Sequence, residues 1–272
     1  MGDGKALTHG YRTLQHWNHW LTDQFLGREL LQVEQQATAN LLTKCLGKHS
    51  LTIGVPHQAQ LLKSTKIPCQ SLVSPLVIHE KVTEYIEADY HDLPIATGSI
   101  DLVLLPHCLE FTDKPRKLLS DACRIVKPEG LIVIYGFNPY SLWGMRKMLN
   151  KEKIVPWTAN FIHQYKIKNW LRLADFALEE DKSIMFLPPT NYEAIHRKLQ
   201  FIETVGKKCL PSLGGVYVIV ARAKVIPLTP IRLKWKQRIG GIRISPTTSG
   251  YLSRSSVMND QPFALMNHEY SI

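Results

Sequence analysis

The stretch from Tyr85 to Gly136 constrains this 272-residue chain most, because a strand, a polar turn, a second strand, a helix and a third strand follow one another without interruption. Tyr85-Ile86-Glu87-Ala88 has strand character and runs into the polar cluster Asp89-Tyr90-His91-Asp92, which Leu93-Pro94 turns. Asp101-Leu102-Val103-Leu104-Leu105-Pro106 is a short apolar run, the pattern of a strand covered on both faces, as parallel sheets require. From Asp113 onward Pro115, Leu118, Leu119, Ala122, Cys123 and Val126 recur at helical spacing, with Thr112 or Asp113 as the expected N-cap. Lys127-Pro128-Glu129-Gly130 should turn the chain out of that helix, and Leu131 to Tyr135 reads as the next buried strand. Strand, helix and strand at this spacing form a right-handed parallel crossover, so the loops after Ala88, Leu105 and Tyr135 should leave one edge of a sheet. Open α/β sheets bind their ligands at that edge.

The flanking chain fits the same class. Leu14, Trp17, Trp20 and Leu21 share a helical face, and after Gly27 the set Leu30, Leu31, Val33, Ala37, Leu41, Leu42 and Leu46 continues to Gly47. His16 and His19 stand one turn apart with no third ligand nearby, which gives no metal site. Ser50 to Val55 reads as a first strand and its turn, and Cys69 to Val73 as a second. Beyond Tyr135, Asn138-Pro139 is a turn, a Ser or Asn cap opens a helix, Phe161 to Ala174 is amphipathic, and Leu178 to Leu187 and Val216 to Ala223 supply two closing strands. The expected organisation is a helical cap over 1–49, an α/β domain over 50–227 and a poorly ordered basic tail over 228–272.

The formal charge is +10, and from Lys224 onward seven Lys and Arg face only Asp260 and Glu269. A basic tail suits nucleic acid, anionic lipid or an acidic protein face, or is simply solvated. Aromatic interleaving is limited to Trp235 and Tyr251, so nucleic acid is not the expected partner. Five cysteines without a C-x-x-C pair argue against a disulfide framework and a zinc site. No run approaches the ~20 apolar residues of a spanning helix, and the reading is cytoplasmic, with oligomeric state left open.

Asp89 to Pro94, Ser99-Ile100-Asp101-Leu102-Val103, Glu110-Phe111-Thr112-Asp113 and Val126 to Leu131 resemble successive motifs of the class I S-adenosylmethionine-dependent methyltransferases. The nearest branch is the small-molecule type that includes the quinone C-methyltransferases, and Gly136 to Gly144 resembles a narrower bacterial subgroup. The resemblance implies a Rossmann-like, seven-stranded, mostly parallel sheet with helices on both faces, its last strand antiparallel. It implies S-adenosylmethionine as cofactor, held by Ile53, Gly54, Val55, Ser74, Asp89, Tyr90, Pro106 and His107, and a small-molecule methyl acceptor. His107, Tyr135 and Asn138 are the candidates for assisting an acidic carbon or phenol. The sequence departs from the family in the first loop, where Thr52 holds the acidic position and Pro56 and Gln58 replace two glycines, and again where Ser74 stands for the ribose-binding acid. Those departures motivate a second reading, a methyltransferase-like binding protein without catalysis. An anionic acceptor is expected on the Arg146-Lys147 side, with Phe137 and Trp143 excluding water.

Overall fold

The computed structural model describes residues 3–42, 45, 47–63, 65–77, 84–149, 154–192, 203, 206 and 211–225, with side chains from residue 10 onward. The tail 228–272 lies outside the described residues, as do Leu46, Glu80, Lys151, Glu152, Lys153 and Cys209.

Two helices, α1 (Asp3–Asp23) and α2 (Phe25–Leu41), precede the sheet. Leu14, Trp17 and Leu21 of α1 and Leu26, Leu30 and Leu31 of α2 are buried at three- and four-residue spacing. Gly27 permits the close crossing of the pair: a Cβ there would stand 2.2 Å from the Trp20 carbonyl oxygen. The second helix ends at Leu41, short of the expected Gly47, with the Leu42 N–H bonded to the Thr38 carbonyl.

Seven strands follow: β1 (His49–Ile53), β2 (Cys69–Ser74), β3 (Tyr85–Glu87), β4 (Ile100–Pro106), β5 (Val126–Phe137), β6 (Phe176–Ile184) and β7 (Val216–Ala223). Their order is β3-β2-β1-β4-β5-β7-β6, parallel from β3 through β5, with β7 antiparallel to both neighbours. This is the mixed Rossmann-like sheet the sequence implied. Leu102 to Leu105 at its centre are fully buried, as two covered faces demand. Helices α3 (Pro115–Ile125), α4 (Leu142–Leu149) and α5 (Gln164–Leu173) complete the element order.

Local differences from the sequence reading have identifiable causes. Helix α3 begins after Lys114, and Thr112 contributes by accepting the Lys114 N–H on its hydroxyl instead of acting as N-cap. Lys127 to Gly130 is a bulge inside β5: Val126 pairs with Ile100, the next paired residue is Leu131 with Leu102, and Glu129 takes a left-handed φ of 64°. The Asp101 carboxylate secures the bulge, accepting the Lys48 and His49 N–H groups at 3.0 Å and the Lys127 ammonium at 2.9 Å. Strand β6 starts at Phe176 and ends at Ile184, earlier than the expected Leu178 to Leu187. Helix α5 is shorter than the amphipathic pattern because the His163 ring accepts the Tyr165 N–H and caps it.

Candidate active site at the carboxyl edge of the sheet

The parallel strands bring Ile53, Ser74, Glu87, Pro106 and Tyr135 to one edge, and α1 supplies a wall above it. A cleft of about 960 Å³ opens there, lined by Tyr11 and Leu14 of α1, Pro75 after β2, Glu87 to His91 after β3, and Phe111 to Lys114 after β4. Asp89 is exposed on this cleft. One of its oxygens accepts the His91 N–H at 2.9 Å, an Asx turn. Tyr90 also lines the cleft, but its hydroxyl is buried without a hydrogen-bond partner among the described residues, and burial pushes that phenol well above its usual 10. Ser74 is fully buried, and its hydroxyl accepts the Leu76 N–H at 3.3 Å. On the neighbouring strand, Glu87 is in register with Ser74 and lines the cleft, one strand spacing of ~4.8 Å away.

The corner after β1 is closed. Ile53 and Val55 are buried, and the chain enters a 3₁₀ turn at Pro56. The Gln58 side chain folds back to accept the Val55 N–H at 3.0 Å. A Cβ on Gly54 would lie 2.5 Å from that Gln58 oxygen and 3.3 Å from Pro106 Cγ, so a larger residue there would have to displace the Gln58 side chain. Asn18 of α1 accepts the His57 N–H at 3.1 Å and ties the loop to the cap. The Gln58 amide nitrogen and the Thr52 hydroxyl are both buried without a partner among the described residues.

His107, directly after β4, lies at the centre of a buried polar cluster that the sequence did not reveal. It adopts a left-handed φ of 56° and is fully buried. Its Nε2 is 2.6 Å from Glu34 Oε1 of α2, and its Nδ1 is 3.0 Å from Glu110 Oε2. The other Glu110 oxygen accepts the Phe137 N–H at 2.6 Å, whereas Glu34 Oε2 has no partner among the described residues. Phe137 packs on the imidazole at 4.0 Å between centroids, and Trp17 meets it edge-on at 5.6 Å. Burial opposes a charged ring, but the Glu34 and Glu110 carboxylates outweigh it and raise the imidazole to about 9. Burial raises the Glu110 carboxyl, with the imidazole and the Phe137 N–H acting against it. Enclosed between two carboxylates, the imidazolium presents no nitrogen to the cleft.

The other two catalytic candidates also face inward. The Tyr135 hydroxyl lies 2.7 Å from Thr38 Oγ1 and donates toward the Glu34 carbonyl at 3.4 Å, and burial raises its phenol above the usual 10. Asn138 donates to the Ser212 and Gly214 carbonyls at 2.8 and 3.1 Å and accepts the Tyr140 N–H at 3.1 Å. Both amide hydrogens and one lone pair of the oxygen are used within the protein, so the side chain anchors a loop. The basic rim is likewise engaged. Arg146 bonds to the Pro189 carbonyl and stacks over Trp157, while Lys147 bonds to the Ala159 carbonyl and lies over Phe161.

Comparison with known proteins agrees with this geometry. A family described as "Methyltransferase domain" matches residues 59–134, beginning just past the altered corner. The YafS protein of Escherichia coli is 30% identical over 195 residues, covering 69% of this chain and 73% of that protein. The chain belongs to the YafS family. Its fold is that of the class I S-adenosylmethionine-dependent methyltransferases. A demethylmenaquinone methyltransferase of Clavibacter sepedonicus is 29% identical over 121 residues, covering 37% of this chain and 49% of that one. Among solved structures, a SAM-dependent methyltransferase of Thermotoga maritima superposes with a TM-score of 0.58 at 21% identity, over 79% of this chain and 99% of that one. A geranyl diphosphate C-methyltransferase of Streptomyces coelicolor gives 0.52 at 14% identity, over 80% and 98%. At those identities the structural likeness concerns the fold.

Proposed function

We propose that this chain transfers a methyl group from S-adenosylmethionine to a small organic molecule, with the nucleoside end of the cofactor in the cleft between β2, β3 and α1. The carrying observation is that cleft: apolar walls from Leu14, Pro75 and Phe111 suit a flat base, and the Asp89 and Glu87 carboxylates stand at two strand ends. Asp89 retains an oxygen outside its turn for an exocyclic amine, and Glu87 takes the place of the missing ribose acid, since a carboxylate can accept two hydroxyl protons at once. These residues fit the nucleoside. Toward the amino-acid end, the buried and unpartnered Gln58 amide is a donor suited to a carboxylate. When bound, the cofactor supplies a methyl group on a sulfonium, so the protein mainly aligns donor and acceptor. His107 acts from below the site as an imidazolium, fixing the β4 loop against α2. Sequence similarity to a demethylmenaquinone methyltransferase favours an aromatic or quinol-like acceptor.

The second reading, a methyltransferase-fold binding protein without turnover, is favoured by the Gln58 side chain filling the glycine corner. Calorimetry with S-adenosylmethionine and its demethylated product tests the enzyme reading. Saturable binding of both is the expected result, and no heat at millimolar cofactor would remove the enzyme reading.

A further inference from the structure

Helix α4 is turned the wrong way round for a helix of a water-facing surface. Its inner side is held by Trp143, fully buried, and by Gly144, where a Cβ would stand 1.9 Å from the Pro139 carbonyl oxygen. Four of the other six positions are apolar and exposed, Leu142 and Met145 together with Met148 at 86% and Leu149 at 77%, and they flank the basic Arg146 and Lys147. Tyr140 before the helix and Ile154 after it are exposed as well. A groove of about 550 Å³ beside the helix is lined by Leu142, Met145, Arg146, Leu149, Pro188, Pro189 and Thr190, without a carboxylate. Clustered exposed apolar side chains of this kind mark an interaction surface.

The charge pattern selects the partner. Between Tyr140 and Ile154 the sequence holds Arg146, Lys147, Lys151 and Lys153 against Glu152. Arg146 and Lys147 bond to carbonyls and rings, and among the described residues neither forms an ion pair, although Lys147 feels the buried Glu110 carboxyl. A second copy would bring another +10 chain to the same face, and the chain's own tail is itself basic, so both occupants meet like charge. A surface that is apolar at its centre and anionic overall meets both requirements. We infer that α4 is an interfacial anchor that docks the protein on an anionic phospholipid surface, inserting Met145, Met148 and Leu149 at the headgroup boundary while Arg146 and Lys147 are drawn by the lipid charge. Because α4 follows directly from β5, docking brings the carboxyl edge of the sheet to the bilayer. Resting on the proposed methyl transfer, this makes the acceptor a lipid-soluble molecule.

The test is co-sedimentation of the full chain, without cofactor, with phosphatidylcholine vesicles and with vesicles of equal phosphatidylcholine and phosphatidylglycerol. Binding is expected to the anionic vesicles, weakening as salt is raised. The double variant Met148→Glu, Leu149→Glu alters only exposed positions and should bind at least about tenfold more weakly, since two inserted groups are lost and two negative charges gained. Its melting temperature and its cofactor calorimetry should match the parent chain, which separates failure of docking from failure of the methyltransferase reading. Equal vesicle binding by parent and double variant overturns the inference, as does absence of binding to anionic vesicles. A concentration-dependent dimer that the double variant abolishes would assign the face to a second copy and overturn it equally.

Discussion

Two carboxylates around one fully buried imidazole place a pH-sensitive load on the fold. The His107 ring is raised from 6.5 to about 9, so its contribution is fully present below about pH 6.5 and is lost as pH rises through 9. A shift of that size corresponds to on the order of 3 kcal/mol. The raised Glu110 carboxyl works in the same direction, since a folded-state value above the unfolded one also favours lower pH. Urea unfolding at about pH 6 and about pH 10 should therefore give a clearly lower stability at the higher value. Glu34→Gln removes the strongest attraction on the ring while keeping a hydrogen-bonding group, so it should destabilise at pH 6 and flatten the difference between the two conditions. An unchanged pH slope in that variant would show that Glu34 does not hold the proton on His107. In the cleft, Glu87→Gln should weaken binding of the demethylated cofactor product by about tenfold through loss of a charge-assisted hydrogen bond, with melting temperature unchanged. Equal affinity in parent and variant would remove Glu87 from the ribose. His107 was visible in the sequence because it ends an apolar strand; Glu34 was not, because it belongs to a helix 73 residues away. Its one signal is that Leu30, Glu34 and Thr38 form a single buried stripe of α2, two polar groups on an apolar face.

At the scale of elements, hydrophobic periodicity was a sound guide wherever burial alone decides the conformation. Strands β4 and β7 match their apolar runs almost to the residue, and α3 matches its three- and four-residue spacing. Periodicity failed where backbone hydrogen bonding decides. The residues Lys127 to Gly130 carry turn composition, yet Asp101 and Lys127 keep them as a bulge within β5. Glu87 was legible as a strand residue but not as a site residue, because its place beside Ser74 depends on register between two strands. The cap offers a direct test of an element contact. At Gly27 a Cβ would be 2.2 Å from the Trp20 carbonyl oxygen and 2.8 Å from the Leu21 Cα, both backbone atoms of α1. Backbone cannot yield as a flexible side chain does, so Gly27→Ala should cost about 2 to 3 kcal/mol of stability, despite alanine's better helix propensity. A variant as stable as the parent chain in denaturant titration would mean that α1 and α2 can separate freely at their crossing.

The whole molecule raises the question of whether that cap is a lid or a part of the core. The sequence suggested a boundary at residue 49, with the helices before it as a cap. In the structure several ties cross that boundary, among them Glu34 to His107, Thr38 to Tyr135, and the Asn18 side chain to the His57 N–H. Trp17 adds ring contacts to His107, Phe111 and Phe137, so apolar and polar attachments coincide over the ends of β4 and β5. Opening the cap would expose an imidazolium and two carboxylates together with that aromatic surface, and breaking one buried ion pair alone costs about 3 to 5 kcal/mol. The cap and the sheet should therefore open as one cooperative unit. Hydrogen exchange in low denaturant checks this: amides of α2 should exchange with the same opening free energy as amides of β4. The demethylated cofactor product should raise both together, because a ligand that binds only the folded state stabilises every amide that needs global opening. Exchange of α2 at a much lower free energy than β4, with protection by the ligand confined to α2, would instead make the cap a lid that admits the cofactor by local opening.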